Sequence, residues 1–535
     1  MAFPPTLAAN LVLPNKRELL RAMKFRHFLP ASLLASIISG LVLAEEPLFN
    51  VTAYQVKGEN PLSAEASSQL LQTYLGNNRS LSDLQQAASA LESALRERGH
   101  GFLRVTLPPQ EASGIITLEV LSFKLSKVTL KNTLFFDEEN QRNSLPALQE
   151  GGSPNFQAMT TQLVIANENP SKQTNITFKE GETDSIEAII DTQQQKPWSV
   201  FVSGNNSGSD DNGRLRLSLG LQHANLFNSD HVATISYSTA PSQPDNVSQY
   251  GVFYRMPFYS LGGSLAAYYA QSKVDSGSLG EGLIITGKGE SGGLRYTHHL
   301  PMDGQYRSQI EVALDDKLFR GTDVSGVGQL SPDVRSRPLT LAYNGHWQSE
   351  DIEINIGLDY SHNLPSGYGN DDEAYQANRS GAHSNWQAWH GKAEGLYRFA
   401  GDWQATLKLS GQFASEALIS GEQFALGGSS SLRGVSDRSA TGDSGVQGTF
   451  EISTPKFFEG LRLLSFIDAG AIHRRSPEAG TNSQEVLGSI GLGLRWQIQD
   501  WGLISADWGY IADGSGSPKI ERGESFGHFG FYLKY

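Results

Sequence analysis

At 535 residues the chain exceeds one ordinary hydrophobic core, so at least two domains are expected. A formal net charge of -14 disfavours a nucleic-acid partner, and a mean hydropathy of -0.33 argues against a helical membrane protein. Gly 56 against Cys 0, with 18% charged residues, suits a glycine-punctuated β protein; missing cysteine is compatible with the periplasm or the outer membrane without proving either.

Residues 23–44 read as a secretory signal peptide. Met23-Lys24-Phe25-Arg26-His27 gives a basic start, Phe28 to Ala44 an apolar stretch, and Val42-Leu43-Ala44 precedes Glu45, so cleavage is expected after Ala44 and translation from Met23. Residues 45–122 then follow the order strand, helix, helix, strand, strand. Val51 to Val56 is β-like, Ser63 can cap a helix to Leu75 with Gly76 as its stop, and Ser80 with Asp83 resembles a capping box. Leu84, Ala88, Leu91 and Leu95 form one stripe of a second helix, and Gly101 to Leu107 and Ile115 to Leu121 are strands. Residues 123–195 repeat the order more weakly: Val128 and Leu130 open the unit, Asn155 can cap Phe156 to Ala166, and Ile176 to Phe178 and Ile186 to Ile190 are late strands.

From about Lys196 alternation replaces helical periodicity. Leu215, Leu217, Leu219 and Leu221 oppose Arg216, Ser218, Gly220 and Gln222, and Ile352, Ile354, Ile356, Leu358 and Tyr360 oppose Glu353, Asn355, Gly357, Asp359 and Ser361. One face suits lipid and the other water, the pattern of a transmembrane barrel. Short connections (near Asn228, Asp303, Glu350, Gly401 and Asp500) alternate with long polar ones (near 239–248, 318–334, 363–384 and 415–445), giving roughly sixteen antiparallel strands over 196–535, with both ends on the short-turn side. The last strand places Phe529, Phe531, Leu533 and Tyr535 on one face.

Two stretches stand apart. Leu426-Gly427-Gly428-Ser429-Ser430-Ser431-Leu432-Arg433-Gly434-Val435 is a loop with one arginine at its tip, and Phe466-Ile467-Asp468-Ala469-Gly470 is a strand in which Asp468 shares a face with Phe466 and Gly470. If that face looks into a confined low-dielectric interior, Arg433 and Asp468 attract strongly enough to latch an inward-folded loop. These two stretches, with the two preceding α+β units, resemble the outer-membrane transporters that join periplasmic POTRA domains to a 16-stranded barrel. Within that superfamily the chain is most similar to the two-partner secretion translocators, the exporters of haemolysins and haemagglutinins.

The resemblance implies an α+β POTRA pair in the periplasm followed by an all-β barrel in the outer membrane of a Gram-negative bacterium. It implies a secreted exoprotein partner recognised through its amino-terminal domain, outer-membrane lipid around the barrel, and the barrel-assembly machinery as reader of the terminal aromatic strand. It also implies that Arg433, with Gly434, meets Asp468 inside the pore, framed by Phe466 and Gly470, and that folding of the exported partner outside drives transport. Leu107-Pro108-Pro109-Gln110 recurs in the first POTRA of these translocators. Two departures are visible: the family's loop usually carries an aromatic where Val435 stands, and cleavage after Ala44 leaves little room for the family's plug helix ahead of Phe49. A barrel-assembly factor of the same superfamily, which usually carries three or more POTRA units, and a passive porin remain alternatives.

No catalytic site, cofactor or metal centre is expected. Gly289-Glu290-Ser291-Gly292-Gly293 fits a nucleophile elbow but lies among alternating residues with no helix after it. Gly442-Asp443-Ser444-Gly445 echoes a serine-protease stretch without identifiable partners. His298 and His299 are adjacent and point to opposite faces of a strand, and the acidic runs Asp210-Asp211 and Asp371-Asp372-Glu373 read as solvated loop.

Overall fold

In the first unit, strand β1 (Ala53–Gly58) runs parallel to β3 (Ile115–Ser122), which pairs antiparallel with β2 (Leu103–Thr106). Helices α1 (Ala64–Leu71) and α2 (Leu81–Glu97) cover one face. These coordinates are a computed structural model that describes residues 47–535 apart from 112–113, 183–184, 211, 274–275, 279–283, 287, 322, 325–327 and 330. The signal segment 1–44 and its cleavage site, with Ala112-Ser113 and Asp211, lie outside the described residues.

The Ser80–Asp83 capping box starts α2: Asp83 N donates to Ser80 Oγ at 3.2 Å, and Ser80 N donates back to Asp83 Oδ2 at 2.8 Å. The stripe Leu84, Ala88, Leu91 and Leu95 is buried, and its last three residues pack against Leu103, Val105, Leu118 and Val120 of the sheet. The first helix is shorter than its sequence pattern. It ends at Leu71 in a 3-10 turn, Gln72–Tyr74, and Gly76, at φ +134°, opens a short strand, Gly76–Arg79, paired with Phe49–Val51. Arg79 reaches back to Leu75 O (Nε at 3.2 Å) where the chain turns into this strand.

The second unit has the same sheet order: β4 (Lys124–Lys131) is parallel to β6 (Ser185–Gln194), which pairs antiparallel with β5 (Lys172–Glu180). Its helices are α3 (Glu138–Asn143), capped by Asp137, and α4 (Phe156–Asn167), capped by Asn155. The six-residue α3 was not visible in the sequence, because one and a half turns carry no periodicity. The units join head to tail. Carbonyls at the end of α2 accept from the start of α4, with Phe156 N to Gly99 O at 2.6 Å and Gln157 Nε2 to Glu97 O at 2.6 Å, so each helix end satisfies the other's orphan groups.

Sixteen strands close the barrel. In chain order they are β7 (Trp198–Asn205), β8 (Arg216–Leu226), β9 (His231–Thr239), β10 (Ser248–Phe258), β11 (Gly263–Ser272), β12 (Gly289–His299), β13 (Tyr306–Phe319), β14 (Pro338–Gln348, continued outward by Val334–Ser336), β15 (Ile352–Asn363) and β16 (Gln387–Arg398). The series ends with β17 (Gln404–Ala414), β18 (Ser444–Ser453), β19 (Leu461–His473), β20 (Gln484–Ile498), β21 (Gly502–Asp513) and β22 (Ser525–Lys534), and β22 pairs with β7. Both strand ends of the chain lie on the short-turn side. Leu219, Leu221, Ile235, Leu358 and Leu492 stand exposed on the outer wall, while Arg216, Ser218 and Gln222 are buried inward. So continuous an apolar belt is tolerable only when lipid covers it.

The second unit is docked on the short-turn end of the barrel through a polar joint. Lys172 Nζ lies 2.6 Å from Asp230 Oδ2, both side chains essentially without solvent contact. Asn140 Nδ2 donates to Asp230 Oδ1 at 3.1 Å and Asn228 O at 3.0 Å, and Asn169 Nδ2 donates to Ala224 O at 2.6 Å. Burial pulls the Lys172 ammonium below its ordinary value, and Asp230 opposes that shift. Beside it Glu168 meets Arg255 and, at 3.1 Å, His299, whose neighbour His298 is exposed on the opposite face. The turn receiving these contacts holds Phe227, Asn228 and Asp230 at positive φ.

Candidate functional site

The loop between β17 and β18, residues 415–443, folds into the bore. A small hairpin, Phe424–Leu426 with Ala440–Gly442, carries its tip. Leu426, Leu432 and Val435 pack with Ile472, Leu487, Ile511 and Ile520 of the wall and its outer loop. Val435 fills the position expected to be aromatic and is 5% exposed.

At the tip, Arg433 is 2% exposed although it carries a full charge. Its Nε donates to Asp468 Oδ2 at 2.8 Å and its Nη2 to Asp468 Oδ1 at 2.7 Å, a bidentate fork, and its backbone N adds a third bond to Oδ2 at 3.0 Å. Nη1 donates to Glu451 Oε1 on β18 at 2.6 Å and lies 3.6 Å from Asp507 Oδ1 on β21. The guanidinium carbon sits 3.3 Å from the centre of the Phe466 ring, a cation–π stack that a planar guanidinium makes better than an ammonium. Asp507 is shared with Arg495 at 2.8 Å. Each guanidinium nitrogen of Arg433 thereby donates to a carboxylate and its face stacks on a ring, which offsets the desolvation that would otherwise expel the loop.

The structure thus brings together Arg433, Gly434, Asp468, Phe466 and Gly470. The glycines are needed for approach. Gly434 has φ +104°, its N donates to His528 Nε2 on β22 at 3.3 Å, and a Cβ there would lie 3.0 Å from Ile511 Cδ1 and 3.1 Å from Gly509 C. At Gly470 a Cβ would come within 2.7 Å of Leu426. Gly434→Ala is expected to cost about 1–3 kcal/mol of loop docking through strain. Protease added outside intact cells should then cut loop 415–443 faster than in the parent, and equal rates would contradict the tight seating.

Sequence reasoning missed Glu451, Asp507 and His528; only the register of three further strands places them beside Asp468. It also missed a second buried pair nearer the long-loop end. Arg379 grips Asp443, whose carboxylate accepts from Leu418 N and Arg475 N, each at 2.8 Å, so one side chain ties three long loops together. Beside it, Tyr375, Trp386, Leu418 and Ile419 belong to a small core. Asp371-Asp372-Glu373 is exposed in the long connection as expected, and also forms the cap and first turn of a short helix there, α5 (Asp372–Asn378), where Asp372 accepts from Ser384 N at 2.7 Å. Gly289-Glu290-Ser291 belongs to β12, in the barrel wall. The terminal residues Phe529, Phe531 and Leu533 lie on β22, and Tyr535 N donates to Val200 O at 2.8 Å.

A closed 16-stranded barrel with an arginine-tipped loop in its bore, preceded by POTRA-type α+β units, defines an outer-membrane protein transporter with its POTRA domains in the periplasm. Residues 185–496, more than half of the chain, match the model of the haemolysin secretion/activation protein ShlB/FhaC/HecB family, and residues 49–122 match the ShlB-type POTRA domain. The chain belongs to the ShlB/FhaC/HecB family, the transporters of two-partner secretion, and exports a partner exoprotein across the outer membrane. It is 23% identical over 491 residues to the outer membrane transporter CdiB of Dickeya dadantii, covering 86% of this chain and 83% of CdiB. It is 24% identical over 492 residues to the heme/hemopexin transporter protein HuxB of Haemophilus influenzae, covering 83% and 80%. The fold matches CdiB from Escherichia coli (TM-score 0.73, 15% identity, 93% of each chain) and CdiB from Acinetobacter baumannii (TM-score 0.70, 17% identity, 97% of this chain and 96% of that one).

Proposed function

We propose that residues 45–122 and 123–195 form two POTRA units that receive the amino-terminal segment of a secreted exoprotein of haemolysin or adhesin type, and that the barrel, 196–535, passes it outward in extended form. The sheet orders leave β1 and β2 at the edges of one unit and β4 and β5 at the edges of the other. An open edge takes an extended peptide as one more strand and reads its sequence only loosely. Arg433 and Asp468, framed by Gly434, Phe466 and Gly470, act as a latch that seats the inward loop. The burial of a guanidinium among three carboxylates and a ring carries this reading, since undocking the loop would break a buried charge cluster and leave Asp468 unpaired. Phe529, Phe531, Leu533 and Tyr535 serve as the signal read by the barrel-assembly machinery.

The test is whether an exoprotein encoded beside this chain reaches the medium. Secretion is expected only when the transporter is present. Secretion unchanged by its deletion would overturn the reading, and a broad loss of other outer-membrane proteins on deletion would point to barrel assembly instead.

A further inference from the structure

The second periplasmic unit carries an apolar tip at the level of the barrel's lower rim. In the loop after β4, Leu134 is 78% exposed and Phe135 37%, while Phe136 beside them is fully buried. The tip is held in shape. Gln194 Oε1 accepts from Phe135 N at 2.8 Å and Phe136 N at 3.1 Å, and Gln141 Nε2 donates to Asn132 O at 2.8 Å. It is also fastened to the barrel: Asn225 Nδ2 donates to Phe135 O at 3.1 Å, and Asn228 Nδ2 to Asp137 Oδ1 at 2.7 Å.

Between Asn225 and Asn228 the turn presents Phe227, which is 80% exposed. Its ring stands edge-on to His231 at 6.1 Å, and His231 Nδ1 is 2.6 Å from the Tyr254 hydroxyl. His231 shares the outward face of β9 with the exposed Ile235, two and four residues along a strand being the same side. Phe227 therefore prolongs the lipid-facing wall past its strand end, beside His231 and Tyr254, whose rings have the polar edge that suits the water–lipid boundary.

We propose that Leu134 and Phe135 continue this wall onto the periplasmic unit and rest in the periplasmic leaflet of the outer membrane, a lipid contact made by a POTRA domain itself. The occupant is lipid, because the tip is bonded to the turn whose aromatic residue already belongs to the lipid-facing surface. The inference depends on the outer-membrane placement of the barrel, so its test carries a control for that placement.

The chain has no cysteine, so single cysteines introduced at Leu134, Phe227, Leu219 and Ser82 can each carry an environment-sensitive fluorophore in the full chain. The labelled proteins are reconstituted in phosphatidylethanolamine–phosphatidylglycerol vesicles, with or without lipid spin-labelled near the headgroup or deep in the acyl chain. Leu219, on the outer wall, reports the barrel core, and Ser82, exposed on α2, reports water. L134C is expected to show blue-shifted emission quenched by the shallow label to an extent comparable with F227C. Water-like, unquenched emission from L134C, with L219C quenched, would overturn the lipid contact alone. Unquenched emission from L219C would overturn the placement of the barrel and the contact with it.

Discussion

Arg433→Ala is expected to leave a full-length, heat-modifiable barrel at normal abundance in the outer membrane while most of the secreted partner is lost from the medium. The substitution strands Asp468, which has both carboxylate oxygens on the Arg433 fork, and takes from Glu451 its 2.6 Å partner, while Asp507 keeps Arg495. Removing one member of such a buried pair costs about 3–5 kcal/mol, or about 150- to 5,000-fold in the docking equilibrium of the loop. The barrel survives because its strand ladder is independent of the tip, β18 through β22 being paired along their lengths. Arg433→Lys should recover little, since an ammonium cannot make the bidentate fork to Asp468 and the stack on Phe466 together. Partner secretion is measured against outer-membrane abundance. Undiminished secretion by Arg433→Ala at equal abundance would remove the latch from the mechanism.

Lys172→Ala is expected to release the second periplasmic unit from the barrel. Asp230 would remain buried without its cation, again at a cost of about 3–5 kcal/mol, at a joint where the remaining cationic side chains are those facing Glu168. Asp230→Asn should be milder, because burial already biases Lys172 toward its neutral form, so the amine can shed its proton, and asparagine keeps most of the shape at φ +60°. Spin-label distances between the second unit and the barrel rim are expected to broaden in Lys172→Ala and to stay narrow in Asp230→Asn. Secretion should fall in the same order. Distances equally narrow in both variants would mean that the ion pair does not set the joint.

The alternation of Leu215 to Gln222 and of Ile352 to Ser361 made the barrel legible, because a wall between lipid and water needs only a period of two. The capping box at Ser80 and Asp83 and the stripe of α2 were equally plain, being local chemistry. Arg433 and Asp468 were recognisable as a pair from motif resemblance, whereas Glu451 and Asp507 were not, since their approach depends on strand register and on a loop folded through a bore. Lys172 with Asp230 and Arg379 with Asp443 stand 58 and 64 residues apart. Such pairs leave no periodic trace, because each partner alone looks like an ordinary surface charge. The first helix ended early for a related reason: the residues after it, Gly76–Arg79, pair as a strand with Phe49–Val51, a contact that propensity does not contain.

The partner is expected to travel through this bore. A photocrosslinking residue at Asn344, on the inward face of β14 where its side chain neighbours Gly357, can be tested against a partner stalled in transit by a folded carboxy-terminal fusion. Adducts with the stalled chain are expected from position 344 and not from Leu219 on the outer wall. Adducts absent from the lumen, or as frequent from the lipid face, would contradict the account.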